Sequence, residues 1–376
     1  MLYGNGKNDD TLAIQELLDA QGIVTIDKPG TYIISKTLII HSNTKFVLSP
    51  GAKLLAAPYS KCSLIQNEHF AGGGRDENIE IIGGIFDGNC DNMGLDGVYE
   101  AMHRLDDPYS PELFKGKLMR FAHVDNIALE KLTVKDPVSY GVQIADVRGF
   151  VTRDLFFDYN WHFGTTDGVH INGPARDGVI ENLYGTTNDD LVSLTTYDEP
   201  HAEVSLGNIE NVYIHNITAI NGFSGIRLLS GEGYRLCNVR VDGVYGDYRH
   251  NAIVISNHNN RPGAVWFDNI TLENFGARKS YTPLGEDCFR YWETNVDSRA
   301  IIQFEYGARC GNVVIRDIYR HEEQNTAAPL IKISSDTVID RLVLENIHQS
   351  AEEGITLVGN EIEGNIQQLI KRDVIE

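Results

Sequence analysis

The sequence predicts an all-β fold: a single right-handed parallel β-helix through residues 1–376, with a short capping helix near its start. Three observations predict it. A unit of the form Asn/Asp, apolar, x, apolar, x, Asn/Asp/Gly, apolar recurs along the chain, clearest in Asn211-Val212-Tyr213-Ile214-His215-Asn216-Ile217. Inside each unit the alternation has period two, which is strand-like. A second set of strand-like segments follows the first by about half a coil, with no helical period between them. The unit spacing is irregular, 23 residues from Asn126 to Gly149 but 43 from Asn269 to Asn312. Stacked coils with insertions in their turns fit that irregularity, and a strict helical repeat does not.

Taken in order, Asp10 to Ala20 forms an amphipathic segment within about residues 10–22, with an acidic N-cap and Gly22 beyond its end. It is expected to cover the first coil, because an open sheet end invites edge pairing. Unit starts then fall at Asn78, Asn126, Gly149, Asp177, Asn211, Asn238, Asn269, Asn312 and Arg341. Asn and Asp suit such corners because they tolerate left-handed backbone. Insertions near 89–114 and 281–298 lengthen two turns. The tail, 365–374, is expected to cover the far end.

The second set comprises Tyr140-Gly141-Val142-Gln143-Ile144, Asp167 to Ile171, Asp190 to Leu194, Ser224 to Leu228, Asn251 to Ile255 and Glu353-Gly354-Ile355-Thr356-Leu357. Its apolar pairs, such as Val169 with Ile171 and Val192 with Leu194, point inward; the first and fourth residues of each segment are expected to point outward to solvent.

A chain of 376 residues exceeds one ordinary core, but a repeat grows along one axis and escapes that limit. The net charge of −21 repels polyanions, so neither nucleic acid nor an anionic membrane is an expected partner. Five scattered cysteines, without CxxC or Cys/His clusters, indicate neither a disulfide framework nor a zinc site. No metal or cofactor is expected. There is no basic start followed by an apolar run and no apolar stretch of membrane-spanning length, so a soluble protein is expected, cytoplasmic or shown without a removed signal peptide. Self-association into a homo-oligomer is compatible with the sequence.

The outward strip concentrates chemistry. Its first positions carry Tyr140, Asp167, Asp190, Ser224 and Asn251; its fourth positions carry Gln143, His170, Ser193, Arg227 and Val254. Asp189 sits at the bend before Asp190, in line with Thr166, Phe223 and His250. Three carboxyls in two adjacent coils cannot all ionise independently, which leaves a protonated acid beside ionised bases. Glycoside cleavage needs that combination. A lone Asp at a corner is commonly a turn former, but three in register beside His170 and Arg227 favour a site. His170 reads as a surface residue or hydrogen-bonding support rather than a general acid. Arg227 either holds a substrate carboxylate or pairs with Asp190. The candidate catalytic residues are therefore Asp167, Asp189 and Asp190. Tyr140, Gln143, His170, Ser193 and Arg227 are candidate substrate-binding residues, with Arg249, His250 and Asn251 from the following coil. The second insertion adds the aromatic residues Tyr281, Phe289, Tyr291 and Trp292, which either stack on sugar rings or pack the loop; Tyr291 and Trp292 are counted with the binding residues.

These motifs resemble the polygalacturonase family, glycoside hydrolase family 28, of the pectin-lyase-like superfamily. The resemblance runs from Asp9-Asp10-Thr11 through Pro29-Gly30-Thr31-Tyr32 and Gly83-Gly84-Ile85-Phe86-Asp87-Gly88 to the late coils. The family's Asn-Thr-Asp appears as Thr165-Thr166-Asp167, and its Asp-Asp as Asp189-Asp190. Its Gly-His-Gly is replaced by Gly222-Phe223-Ser224-Gly225, and its Arg-Ile-Lys by Ile253-Val254-Ile255-Ser256. The resemblance implies Asp189 as general acid, Asp167 and Asp190 as bases, and inversion at the anomeric carbon. Loss of the family's Arg and Lys leaves the sugar open, with Arg227, Arg249 or His250 as substitutes and a neutral sugar as an alternative. The expected partner is an oligo- or polysaccharide, attacked from a chain end if the long loops close the groove. A polysaccharide lyase or epimerase on the same fold and a non-catalytic carbohydrate-binding β-helix are the competing readings.

Overall fold

In the computed structural model, residues 1–94, 117–197, 204–231, 233–257, 266–289 and 295–374 are described. Tyr291, Trp292 and most of the first insertion lie outside them. The chain forms a right-handed parallel β-helix. Parallel ladders connect each coil to the next, from strand Asn5–Asp9 on Gly30–Ile34 to strand Asn365–Val374 on Val338–Ala351.

The corner register follows the repeat read from the sequence. Ile79 pairs with Ile127, Phe150 with Gly178, Val212 with Val239 and Ile270 with Val313. The unit starts therefore stack directly. Asn78, Asn126, Asp177, Asn211, Asn238 and Asn269 all have φ between 53° and 63°. Their side chains form a ladder, with Asn211 Nδ2 donating to Asp177 Oδ1 (3.0 Å), Asn238 to Asn211 (3.0 Å) and Asn269 to Asn238 (2.8 Å). An Asn amide supplies both a donor and an acceptor, so it can continue such a ladder in either direction.

The second set stacks as a sheet of its own. Val142, Val169, Val192, Ile226 and Ile253 occupy successive rungs and are fully buried. Each such side chain removed from water contributes about 1.5–3 kcal/mol, so this line is a main source of stability. The stack continues through Ile302–Glu305 and Ile331–Ile333 to Glu361–Ile362, with Pro329 bridged to Val358. Glu353-Gly354-Ile355-Thr356-Leu357 is thus not a rung of this sheet; it lies five residues early, in a turn where the Ile355 N–H bonds to the Glu352 carbonyl. Its alternation mimics a strand, but the chain still has to round the corner after Ala351. Two rungs beginning Ala300-Ile301 and Pro329-Leu330 escaped the pattern because they open on Ala and Pro, where the six segments open on a residue with a hydroxyl, carboxyl or amide.

The capping helix spans Thr11–Asp19 and buries Thr11, Ile14 and Leu18, one face at helical spacing. Asp10 occupies the N-cap position without capping through its side chain. Its carboxylate instead accepts from the Tyr3 and Gly4 N–H groups, at 2.6 and 3.1 Å, and anchors the entering strand. The tail does not act as a lid. It pairs as a last rung, largely exposed, with Leu369 in the position inward of Leu342 yet 41% accessible.

Candidate active site

Asp167 and Asp190 open consecutive rungs of the second sheet, where the Gly168 N–H bonds to the Asp190 carbonyl at 2.9 Å. The approach requires glycine after Asp167. A Cβ on Gly168 would stand 2.5 Å from the Leu191 carbonyl oxygen. Asn188, fully buried, donates to the Phe163 carbonyl and so ties the bend before Asp189 to the segment leading into Asp167. As a result one oxygen from each of Asp167, Asp189 and Asp190 lies within 4.8 Å of the others.

Each carboxyl has a different environment. Asp167 is 4% exposed; its Oδ2 faces His170 Nδ1 at 2.6 Å, and its Oδ1 accepts from the Asp190 N–H at 3.3 Å. Asp190 is also buried, and Arg227 Nε donates to its Oδ2 at 2.5 Å. Burial pushes the Asp190 pKa up to about 8, opposed by the Arg227 charge and reinforced by Asp189 and Asp167. Asp189 is the half-buried member. Like charges this close titrate as a group, so the retained proton belongs to the cluster.

Gln143, His170 and Ser193, expected to face solvent, are buried, because neighbouring polar side chains of the strip close over them, and His170 is held on every side. Its ring stacks on Tyr140 at 4.2 Å and 7°, and Lys117 Nζ stands 4.7 Å from the Tyr140 ring centroid. Its Nε2 faces Thr195 Oγ1 at 2.9 Å and Asn172 Nδ2 at 3.3 Å, while Gln143 Nε2 donates to Asn172 Oδ1 at 2.8 Å. An Nε2 that accepts from the Asn172 amide leaves the proton on Nδ1, where it donates to Asp167.

The remaining sequence candidates are distributed as follows. Ser193 lies between His170 and Arg227, 1% exposed, with no hydrogen-bond partner for Oγ among the described residues. Arg227 pairs with Asp190, which resolves one of its two readings. His250 stacks on Phe223 at 4.8 Å, and Arg249 Nη1 donates to the Thr282 carbonyl at 2.5 Å. Asn251 is fully buried, and its amide donates to the Ala300 carbonyl at 2.6 Å. These last three stand two rungs beyond Asp190; Arg249 and Asn251 bond to later segments, while His250 stacks back on the preceding rung. Sequence reasoning missed Asn172 and Thr195, although they lie two positions after His170 and Ser193 on the same outward face. It also missed Lys279, whose Nζ donates to the carbonyls of Arg249, His250 and Arg299 at 3.1, 2.5 and 3.3 Å. No local pattern marks that lysine, because its partners come from other coils.

Both insertions meet the segment that precedes Asp167. His162 Nδ1 lies 2.7 Å from Asp91 Oδ1, and the Phe289 N–H donates to the Trp161 carbonyl at 2.7 Å. The Phe289 ring covers Gly164, where a Cβ would approach to 2.0 Å, and Tyr281 donates to Asp297 at 2.6 Å. Phe289 and Tyr281 thus pack their loop.

Three carboxylate oxygens at this spacing could ligate a hard cation. However, one oxygen of Asp167 and one of Asp190 already face donors, His170 and Arg227. A second group, Glu68, His69 and Asp76, is similarly spaced, but both Asp76 oxygens accept hydrogen bonds, from Ser42 and Asn67 among others.

No family profile matches the sequence, and no curated protein matches it. Solved structures do resemble it. An endo-xylogalacturonan hydrolase from Aspergillus tubingensis matches with a TM-score of 0.65 at 14% identity, covering 94% of this chain and 93% of that one. A family 28 exopolygalacturonase from Yersinia enterocolitica gives 0.54 at 16% identity, covering 97% and 76%. The A-module of an Azotobacter vinelandii mannuronan C-5 epimerase gives 0.57 at 13% identity, covering 97% of each. At these identities the likeness is one of fold.

Proposed function

We propose that this protein is a glycoside hydrolase acting on an oligo- or polysaccharide, with Asp167, Asp189 and Asp190 as its catalytic carboxyls. The observation that carries the reading is the buried three-carboxyl cluster, in which burial pushes the Asp190 pKa up to about 8 and His170 Nδ1 stands 2.6 Å from Asp167. Glycosidic cleavage needs an acid for the leaving oxygen and a carboxylate on the sugar's other side. Asp189, the least buried, delivers the cluster's proton to the leaving group. Asp167, backed by His170, and Asp190, backed by Arg227, serve the carboxylate role, Asp190 once the cluster's shared proton sits on Asp189. Arg227, whose side chain stays 20% exposed beside Asp190, is available to sugar hydroxyls. The fold shared with a xylogalacturonan hydrolase and an exopolygalacturonase supports a saccharide ligand. Inversion, expected from the resemblance, is part of this proposal, and the anomeric configuration of the first product tests it.

The test is Asp189→Asn, assayed on nitrophenyl glycosides and plant-wall oligosaccharides beside the parent protein. Turnover should fall at least ~100-fold with saccharide binding retained, as for loss of a general acid. Full turnover in the variant would reject the assignment, and absence of turnover in both proteins would favour a binding β-helix. The same cluster also suits a cation-dependent lyase or epimerase, a reading favoured by its ligand spacing and by the epimerase likeness. Chelator-sensitive formation of an unsaturated product would select that chemistry.

A further inference from the structure

Arg120 stands in line with the site's outer strip. Strand Met119–Glu130 pairs it with Gln143, and Gln143 pairs with His170, so it lies two rungs before the histidine. Its guanidinium carbon sits 3.9 Å from the Phe70 ring centroid, and Phe70 packs with Ala122 and Ala145 in a small apolar cluster. The Nε atom is buried without a hydrogen-bond partner among the described residues. No carboxylate pairs with it there, and burial alone lowers its pKa to about 10.

Other partly buried arginines in this chain do have acids. Arg75 pairs with Asp125 and Asp146, Arg227 with Asp190, and Arg299 with Glu305. A chain with 53 acidic residues and 32 basic ones has no shortage of partners. Yet Arg120 has the amide residues Gln66 and Gln143 as strip neighbours. A buried charge without a counter-charge is costly, which makes such a position informative. A planar guanidinium whose face is fixed on an aromatic ring presents its N–H edge to a bidentate oxyanion.

We propose that Arg120 is the recognition residue of an anion-binding subsite, roughly 10 Å from His170 at two rung spacings, which takes a carboxylate or sulfate carried by a bound saccharide. The saccharide rests on the function proposed above; the anion rests on Arg120 alone. This subsite lies across the carboxylates from strand Ile253–Ser256, where the family resemblance would have placed a basic pair.

Binding is measured by calorimetry in the full chain carrying Asp189→Asn, so that a failure of hydrolysis does not affect the readout. The probes are an oligogalacturonide, its methyl ester, and a sulfated and an unsulfated galacto-oligosaccharide. A charged probe should bind about tenfold or more tightly than its neutral counterpart, the scale of a charge-assisted hydrogen bond. Arg120→Gln should abolish that preference, and Arg120→Lys should restore part of it, with unchanged melting curves as the folding control. Whichever charged probe shows the larger preference identifies the group. Equal binding of charged and neutral probes, or a preference that survives Arg120→Gln, would overturn the proposal.

Discussion

At Asp190, burial opposes ionisation while Arg227 favours it, and the two nearby carboxyls tip the balance toward the protonated form. The consequence for stability has a definite sign. The folded group keeps its proton to about pH 8, whereas the unfolded group releases it near the ordinary carboxylate value of 3.8. Between those limits the folded state binds more protons, so its stability falls as pH rises and levels off outside the window. Urea midpoints should therefore decline from pH 4 to pH 8 more steeply in the parent than in Asp190→Asn. Parallel profiles for the two proteins would show that Asp190 ionises normally.

Among the elements, the corner ladder does most to fix the register of the coils. Asn238 adopts φ 55° and joins Asn211 to Asn269 through its amide. Asn238→Ala loses both bonds and keeps a left-handed backbone, a combined cost of about 1–3 kcal/mol. Asn238→Gly loses the bonds but removes the backbone strain, so it should cost less. Chemical denaturation of the two variants separates these effects; equal losses would mean that the ladder bonds alone matter. The contrast with Asp10 is instructive. Its position reads as an N-cap, but its carboxylate serves the entering strand instead, a choice made by the chain that packs beside the helix.

On the scale of the molecule, two insertions from distant coils converge on residues 160–164, at the Asp167 end of the strip. A groove obstructed there would admit a chain terminus rather than the middle of a polymer. Digestion of a long oligosaccharide should then release terminal units, visible as one small product growing from the earliest time point. A ladder of intermediate lengths at low conversion would show internal cutting and an open groove.

The sequence by itself determined the repeat, its corner register and the three-carboxyl strip, because each depends on period-two alternation and Asx corners that are local properties of the chain. From Asn78 to Arg341 every unit start found its expected neighbour. Only the tertiary structure decided what those residues do to one another. It paired Arg227 with Asp190, aligned His170 through Asn172 and Thr195, and left Arg120 without an acid among the described residues. It also moved the last rung to Glu361–Ile362 and kept the tail in the ladder instead of over it. Burial, pKa and hydrogen-bond partnership depend on groups 20 or more residues away, brought together by coil length and insertion geometry, and no local pattern encodes that distance.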